Sequence, residues 1–182
     1  MIISLRGTNG AGKSTLVRKI MKLYDVEHHA YEEGRKKPLS TLLRRNSSFA
    51  FELMVPGHYE IANGGVDTLP SLDKAYTMIE LAHETGVHVL YEGKNMSDGP
   101  QRLIEMHEKG WPVAAVIIKI TNGEAEKSVR KRGHKIKLGT IVSLNDKMTR
   151  QVETFRKAGV PVWHLSRASA LKKVKELLEL KP

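Results

Sequence analysis

The chain has 182 residues, 40% hydrophobic and 27% charged, which suits one self-sustaining globular domain and argues against disorder. It has no Cys, which excludes a disulfide scaffold or a thiolate metal site and makes a reducing compartment the expectation. Lys and Arg number 30 against 20 Asp and Glu; the resulting +10 attracts polyanions, whether nucleic acid, anionic membrane or nucleotides.

Met1 to Arg6 reads as a short apolar strand running into GTNGAGKST, after which Leu16, Ile20 and Leu23 recur at helical spacing. Val26 to Tyr31 suits a second strand. Pro38 to Arg45 suits a short helix with its Pro in the first turn. Phe49 to Val55 reads as a strand leading into the Gly-rich segment GHYEIANGGVDT. Ser71 to Glu84 follows as a helix, Ser71 and Lys74 falling just short of a capping box. Val87 to Tyr91 is a buried apolar strand closed by Glu92-Gly93, and Asp98 to Lys109 the next helix. The remaining elements are a strand at Val113 to Ile120 and helices at Asn122 to Arg132 and Ile141 to Lys157. A strand at Val160 to Leu165, started or placed at an edge by Pro161, precedes a last amphipathic helix. Trp111 and Trp163 adjoin strands and are expected in the core, and His28-His29 is expected at a strand end.

No segment approaches the ~18 apolar residues of a membrane span. The opening MIISLRGTNG lacks a charged stretch ahead of a long apolar one, so no signal peptide and a cytoplasmic location are expected. Strands alternating with helices imply a parallel sheet covered on both faces. The expected fold is therefore a single three-layer α/β/α domain, 1–182, with a mostly parallel five-stranded sheet.

Gly7-Thr8-Asn9-Gly10-Ala11-Gly12-Lys13-Ser14, followed by Thr15, fits G-x-x-x-x-G-K-[ST]. The glycines let backbone N–H groups converge on a phosphate, and the following helix adds its positive end. Lys13 supplies a charge to the β- and γ-phosphates of a nucleoside triphosphate, and the Ser14 hydroxyl is a Mg²⁺ ligand. Glu92 ends a buried strand at the sheet edge where ligands gather, placed to hold Mg²⁺ through water or to take a proton. From Lys127 to Asn145 there is no acidic residue, and six cations crowd the first half of that span. A second basic cluster holds Arg35, Lys36, Lys37, Arg44 and Arg45.

The strand ending in Glu92-Gly93 resembles the strand-plus-Asp-Gly segment of nucleoside monophosphate kinases, with Glu in place of Asp. That resemblance implies a P-loop kinase fold and a basic lid at about 127–140, whose Arg130 and Arg132 close on the phosphates. It also puts Arg167, after the last strand, at the adenine. RGTNGAGKST, GHYEIANGGVDT and VLYEG together resemble bacteriophage P-loop kinases that phosphorylate 5-hydroxymethyluracil within DNA, a step in thymidine hypermodification. The implied partners are ATP, Mg²⁺ and DNA carrying the modified base, with no membrane, and the implied site is the host cytoplasm.

The segment of about 32–70 falls where such kinases place an acceptor-binding insertion. Within it Asp67, like Glu92, is a candidate base for the acceptor hydroxyl, with Glu60 a distant third. His58 and Tyr59 are candidates to stack on or hydrogen-bond an extruded base, and Arg35 is a further acceptor contact. Two other readings stay open: a kinase of a nucleotide, nucleoside or other metabolite, and a P-loop NTPase acting as a nucleic-acid-binding regulator. No Asn-Lys-x-Asp guanine signature is present, and Glu92 is followed by Gly93 rather than by a second acid.

Overall fold

The computed structural model describes residues 1–60, 64–93, 99–133 and 137–180. In chain order the elements are β1 (Ile2–Arg6), α1 (Lys13–Met21), β2 (Val26–Ala30), β3 (Ser40–Arg44) and β4 (Leu53–Pro56). A 3-10 turn at Val66–Thr68 precedes α2 (Leu72–Glu84), β5 (His88–Glu92), α3 (Gln101–Glu108) and β6 (Val113–Ile118). Helices α4 (Asn122–Arg130) and α5 (Leu138–Lys157), strand β7 (Val162–Leu165) and helix α6 (Arg167–Leu177) complete the chain.

The strands form one sheet of seven in the order β2-β3-β4-β5-β1-β6-β7. From β4 to β7 the pairings are parallel, as expected, but the sheet has seven strands where five were expected. β3 and β2 extend it antiparallel beyond β4. β1 alternates its side chains between two apolar clusters: Ile3 and Leu5 meet α1 and α6, while Ile2 faces the side covered by α2, α3 and α5. β5 and β6 do the same with Leu90, Val116 and Ile118 against Val89, Tyr91, Ala115 and Ile117. Both faces are dry, so the apolar runs of β1 and β6 are those of strands buried on both sides.

One element departs from the expectation. Pro38 to Arg45 is no helix: Ser40–Arg44 is a strand with antiparallel partners on both sides. Leu39, Leu42 and Leu43 have the i, i+3, i+4 spacing of a helix. In the fold Leu43 enters one apolar cluster and Leu42 packs against the other, which only a strand allows. Elsewhere the boundaries shift. Phe49 is fully exposed in the connection between β3 and β4, and the strand begins at Leu53. Leu23 lies past the end of α1 and is largely exposed. Residue 98, expected to start a helix, lies outside the described residues, and α3 begins at Gln101 behind Pro100. Ser71 accepts a hydrogen bond from the Lys74 N–H at 3.1 Å, while the Lys74 ammonium reaches Glu32 at 2.8 Å. That is the expected half of a capping box. β7 is an edge strand begun after Pro161. Trp111 and Trp163 are each partly buried, one against each apolar cluster. Among the described residues no helix is long and apolar enough to cross a membrane.

Candidate active site

β1 is the strand at which the winding of the sheet reverses: α1 leads away toward β2–β5, whereas α3 leads from β5 to β6 on its other side. In such sheets the crevice beyond the strand C-termini binds ligands, and GTNGAGKS fills it here. Gly10 and Gly12 hold φ of +81° and +91°. A Cβ on Gly10 would lie 2.6 Å from the Ala125 carbonyl, so α4 packs directly on the loop's backbone. α1 starts at Lys13 with no side-chain cap and no acid in its first turn, leaving its first N–H groups for an anion. The Lys13 ammonium donates to the carbonyl oxygens of Gly7 at 2.9 Å and Thr8 at 3.4 Å. Desolvation lowers its pKa, against the opposing pull of Glu92 and then Asp67.

Glu92, at the end of β5, is 4% exposed and accepts a hydrogen bond from the Ser14 hydroxyl at 2.7 Å. Burial raises its pKa, opposed by the Lys13 charge and the Ser14 bond. The Gly-rich segment closes over this pair. Gly65 has φ +83° and ψ −162°, and a Cβ there would overlap the Glu92 carbonyl and lie 2.9 Å from Glu92 Oε1. A Cβ on Gly93 would collide with Val66 and lie 3.0 Å from Asp67 Oδ1. Glycines at 65 and 93 thus let Asp67 and Glu92 approach from two different loops.

Lys13, Ser14, Glu92 and Asp67 line one cleft of about 1050 Å³, together with Asn9, Gly10, Gly12 and Thr15 of the loop. That is at the upper end of the ~300–1,000 Å³ of small-molecule sites, room for a nucleotide and an acceptor together. Gly7 and Ala11 sit behind the loop, and Thr8 is buried with its hydroxyl unpartnered among the described residues. Arg132 lines the cleft beside Lys131; residues 134–136 of the stretch expected to be a lid lie outside the described set. Arg130 is placed elsewhere: it points along α4 to Glu126 at 2.6 Å and is not among the lining residues.

Arg167 also reaches the cleft, as a brace. Its guanidinium donates to the carbonyls of Ala11 at 3.0 Å and Gly10 at 2.9 Å, and to the Ser128 hydroxyl at 3.3 Å. Arg35 donates to the Thr68 carbonyl at 3.2 Å, pinning the Gly-rich segment from outside. His58 is buried and bridged through its backbone to Gly65; with Tyr59 and Glu60 it borders a second cavity of about 220 Å³. Residues 61–63 of GHYEIANGGVDT lie outside the described residues.

Three participants escaped the sequence reading. Arg18, one turn beyond Ser14, lines the cleft and donates to the Tyr59 carbonyl at 2.9 Å. Lys131 was seen only as part of a basic run. Arg6 is 1% exposed, donates to Gln151 and Gly99 at 3.0 Å each, and lies over the Phe155 ring at 4.9 Å. Its guanidinium joins the start of the P-loop to α5 and, through a bond to Tyr91, to the residue before Glu92. A charged residue closing an otherwise apolar strand was the available signal.

No group of three or more His, Asp or Glu among the described residues is arranged to hold a metal alone. The donor set is instead one that Mg²⁺ shares with a nucleotide: one hydroxyl and one carboxylate on facing loops, with phosphates and water to complete the shell. Ser14 and Glu92 at 2.7 Å fit that role.

A parallel α/β sheet with a P-loop at its switch point, an acid ending the adjacent strand and cations on the opposite rim defines a P-loop kinase. The chain is 34% identical over 186 residues, 98% of its own length and 97% of the other's, to a protein of Pseudomonas phage PaMx11 named 5-hmdU DNA kinase. It belongs to the 5-hmdU DNA kinase family. No protein-family model matches it. Among solved structures it is similar to deoxyadenosine kinase from M. mycoides with bound dATP, at 13% identity, a TM-score of 0.46, and coverage of 98% of this chain and 100% of that one. The same enzyme with bound dCTP gives 13% identity, a TM-score of 0.48, and coverage of 98% and 99%.

Proposed function

We propose that the chain transfers the γ-phosphate of ATP to the hydroxymethyl oxygen of 5-hydroxymethyluracil in phage DNA, in the host cytoplasm. The observation that carries the transfer chemistry is the Ser14–Glu92 hydrogen bond at 2.7 Å, which joins the P-loop to an acid on the neighbouring strand. The family relationship and the +10 charge support DNA as the acceptor.

The P-loop N–H groups and Lys13 hold the β- and γ-phosphates. Mg²⁺, when bound between Ser14, Glu92 and the phosphates, supplies neutralising charge there. With Glu92 committed to Ser14 and the metal, Asp67 is the base. The acceptor oxygen attacks the γ-phosphorus in line, the bond from that phosphorus to the β–γ bridging oxygen breaks, and ADP leaves. The hydroxyl proton passes to the Asp67 carboxylate. Lys131 and Arg132 lie on the rim where charge on the transferring group is spread. In this reading the basic stretch 127–140 is the lid, with Arg130 at its outer edge paired to Glu126. The segment 32–70 forms the acceptor side, with Arg35 securing it.

The test is incubation with γ-labelled ATP and duplex DNA containing 5-hydroxymethyluracil, with label expected in the DNA. Label in free nucleosides or monophosphates but none in DNA would refute the acceptor assignment.

A further inference from the structure

We propose that the second cavity, between α1 and the β2–β3 hairpin, receives the pyrimidine ring of the acceptor nucleotide, and that Lys19 and Lys22 bind the phosphates beside it. This rests on the DNA-kinase reading above and adds where the base and its strand lie.

Size comes first. At ~30 Å³ per water, the cavity of about 220 Å³ displaces roughly seven waters. That is the room of a single six-membered ring with its exocyclic oxygens, and too little for a nucleoside triphosphate, which the larger cleft accommodates. Position follows. Arg18 borders both cavities, and its Nε holds the Tyr59 carbonyl at 2.9 Å. Tyr59 lines the second cavity, yet its hydroxyl reaches the catalytic side. The point where a Gly65 Cβ would stand is 3.1 Å from that hydroxyl and 2.9 Å from Glu92 Oε1. A ring in the second cavity therefore sends its 5-substituent past Arg18 and Tyr59, toward Asp67 and Glu92.

Polarity agrees with a base. Buried polar atoms are nearly always paired, but among the described residues His58 Nδ1, of a residue that lines this cavity, is buried without a partner. His29 and Thr41, which also line the cavity, hydrogen-bond each other at 3.1 Å. Burial lowers the His58 pKa and keeps the ring neutral, with one nitrogen to donate and one to accept. A uracil edge, which offers both N–H and C=O, suits such a wall.

Charge supplies the strand. Helix α1 carries no acidic side chain from Lys13 to Met21. Lys19 and Lys22, both exposed, are three residues apart, so they share a face. Lys19 borders the large cleft and Lys22 the second cavity. A single strand laid along that edge meets one ammonium on either side of the nucleotide whose base is inserted. Extruding a base requires such a grip on the flanking backbone.

The experiment uses the full chain and a duplex with one 5-hydroxymethyluracil. His29→Trp fills the cavity from a half-exposed position, and KM for the DNA is expected to rise at least ~10-fold. Lys19→Ala/Lys22→Ala is expected to shorten the slope of log K against log salt by about 1.8 on duplex DNA. If His29→Trp melts as unfolded, the lysine pair decides alone. A KM within twofold of wild type in folded His29→Trp, or an unchanged salt slope, overturns the proposal while wild-type transfer to DNA leaves the kinase reading standing. Absence of transfer by the wild type overturns both.

Discussion

Gly65→Ala tests how the Gly-rich segment is joined to Glu92. Gly65 sits at φ +83° and ψ −162°, a region that is nearly glycine-only and costs other residues about 1–3 kcal/mol. Its new methyl would also overlap the Glu92 carbonyl and crowd Glu92 Oε1 at 2.9 Å, and overpacking of that kind costs about 1–3 kcal/mol. The sum, about 2–6 kcal/mol, is a large share of the ~5–15 kcal/mol that holds an ordinary domain together. Gly86→Ala is the control: φ is +77°, nothing lies within 4 Å of its Cβ, and only the left-handed backbone cost of about 1–2 kcal/mol applies. Urea unfolding of both variants gives the difference directly. Activity separates further, because the crowded Glu92 is the group bonded to Ser14. Displacing it by ~1 Å is expected to lower kcat about 10²-fold in Gly65→Ala, with no comparable loss in Gly86→Ala. Equal destabilisation of the two variants, or near-normal turnover in Gly65→Ala, would refute the reasoning.

Glu92→Gln and Asp67→Asn are each expected to lower kcat by about 10²-fold or more, but only the Glu92→Gln defect eases as Mg²⁺ is raised. A Mg²⁺ titration at saturating ATP separates the two roles. Arg167→Ala removes the donors that hold the Gly10 and Ala11 carbonyls, so KM for ATP should rise about tenfold while the melting temperature moves little. His58 is buried with its pKa depressed below 6.5, so the unfolded chain binds a proton there that the folded chain refuses. Its contribution to stability is present above pH 6.5 and lost as pH falls below it; His58→Gln should flatten the decline of the urea midpoint below about pH 6.5.

The nucleotide half of this protein was written in contiguous residues. GTNGAGKST carries its glycines, lysine and hydroxyl within one turn of chain, and the strand before it and the helix after it follow from local periodicity. Glu92 was legible for a related reason: an acid ending an apolar strand of a parallel sheet has only one edge to go to. The parallel core itself followed from the alternation of elements.

What the sequence could not settle depends on partners distant in the chain. Leu39, Leu42 and Leu43 have helical spacing, and it was the open edge of β4 on one side and β2 on the other that made their segment a strand. Arg130 and Arg132 are two residues apart in the same basic run. The Glu126–Arg130 pair is a local i,i+4 contact within α4, whereas only the tertiary packing puts Arg132 on the cleft. Arg167 braces the loop, and Arg6 ties the strand before it to Gly99 and Gln151, through partners that lie between about 90 and 160 residues away in sequence. The triphosphate site is thus a local property of the chain. The wall of the cleft facing it is assembled by packing, where glycines at 65 and 93 let the Gly-rich segment and the end of β5 meet at Asp67 and Glu92.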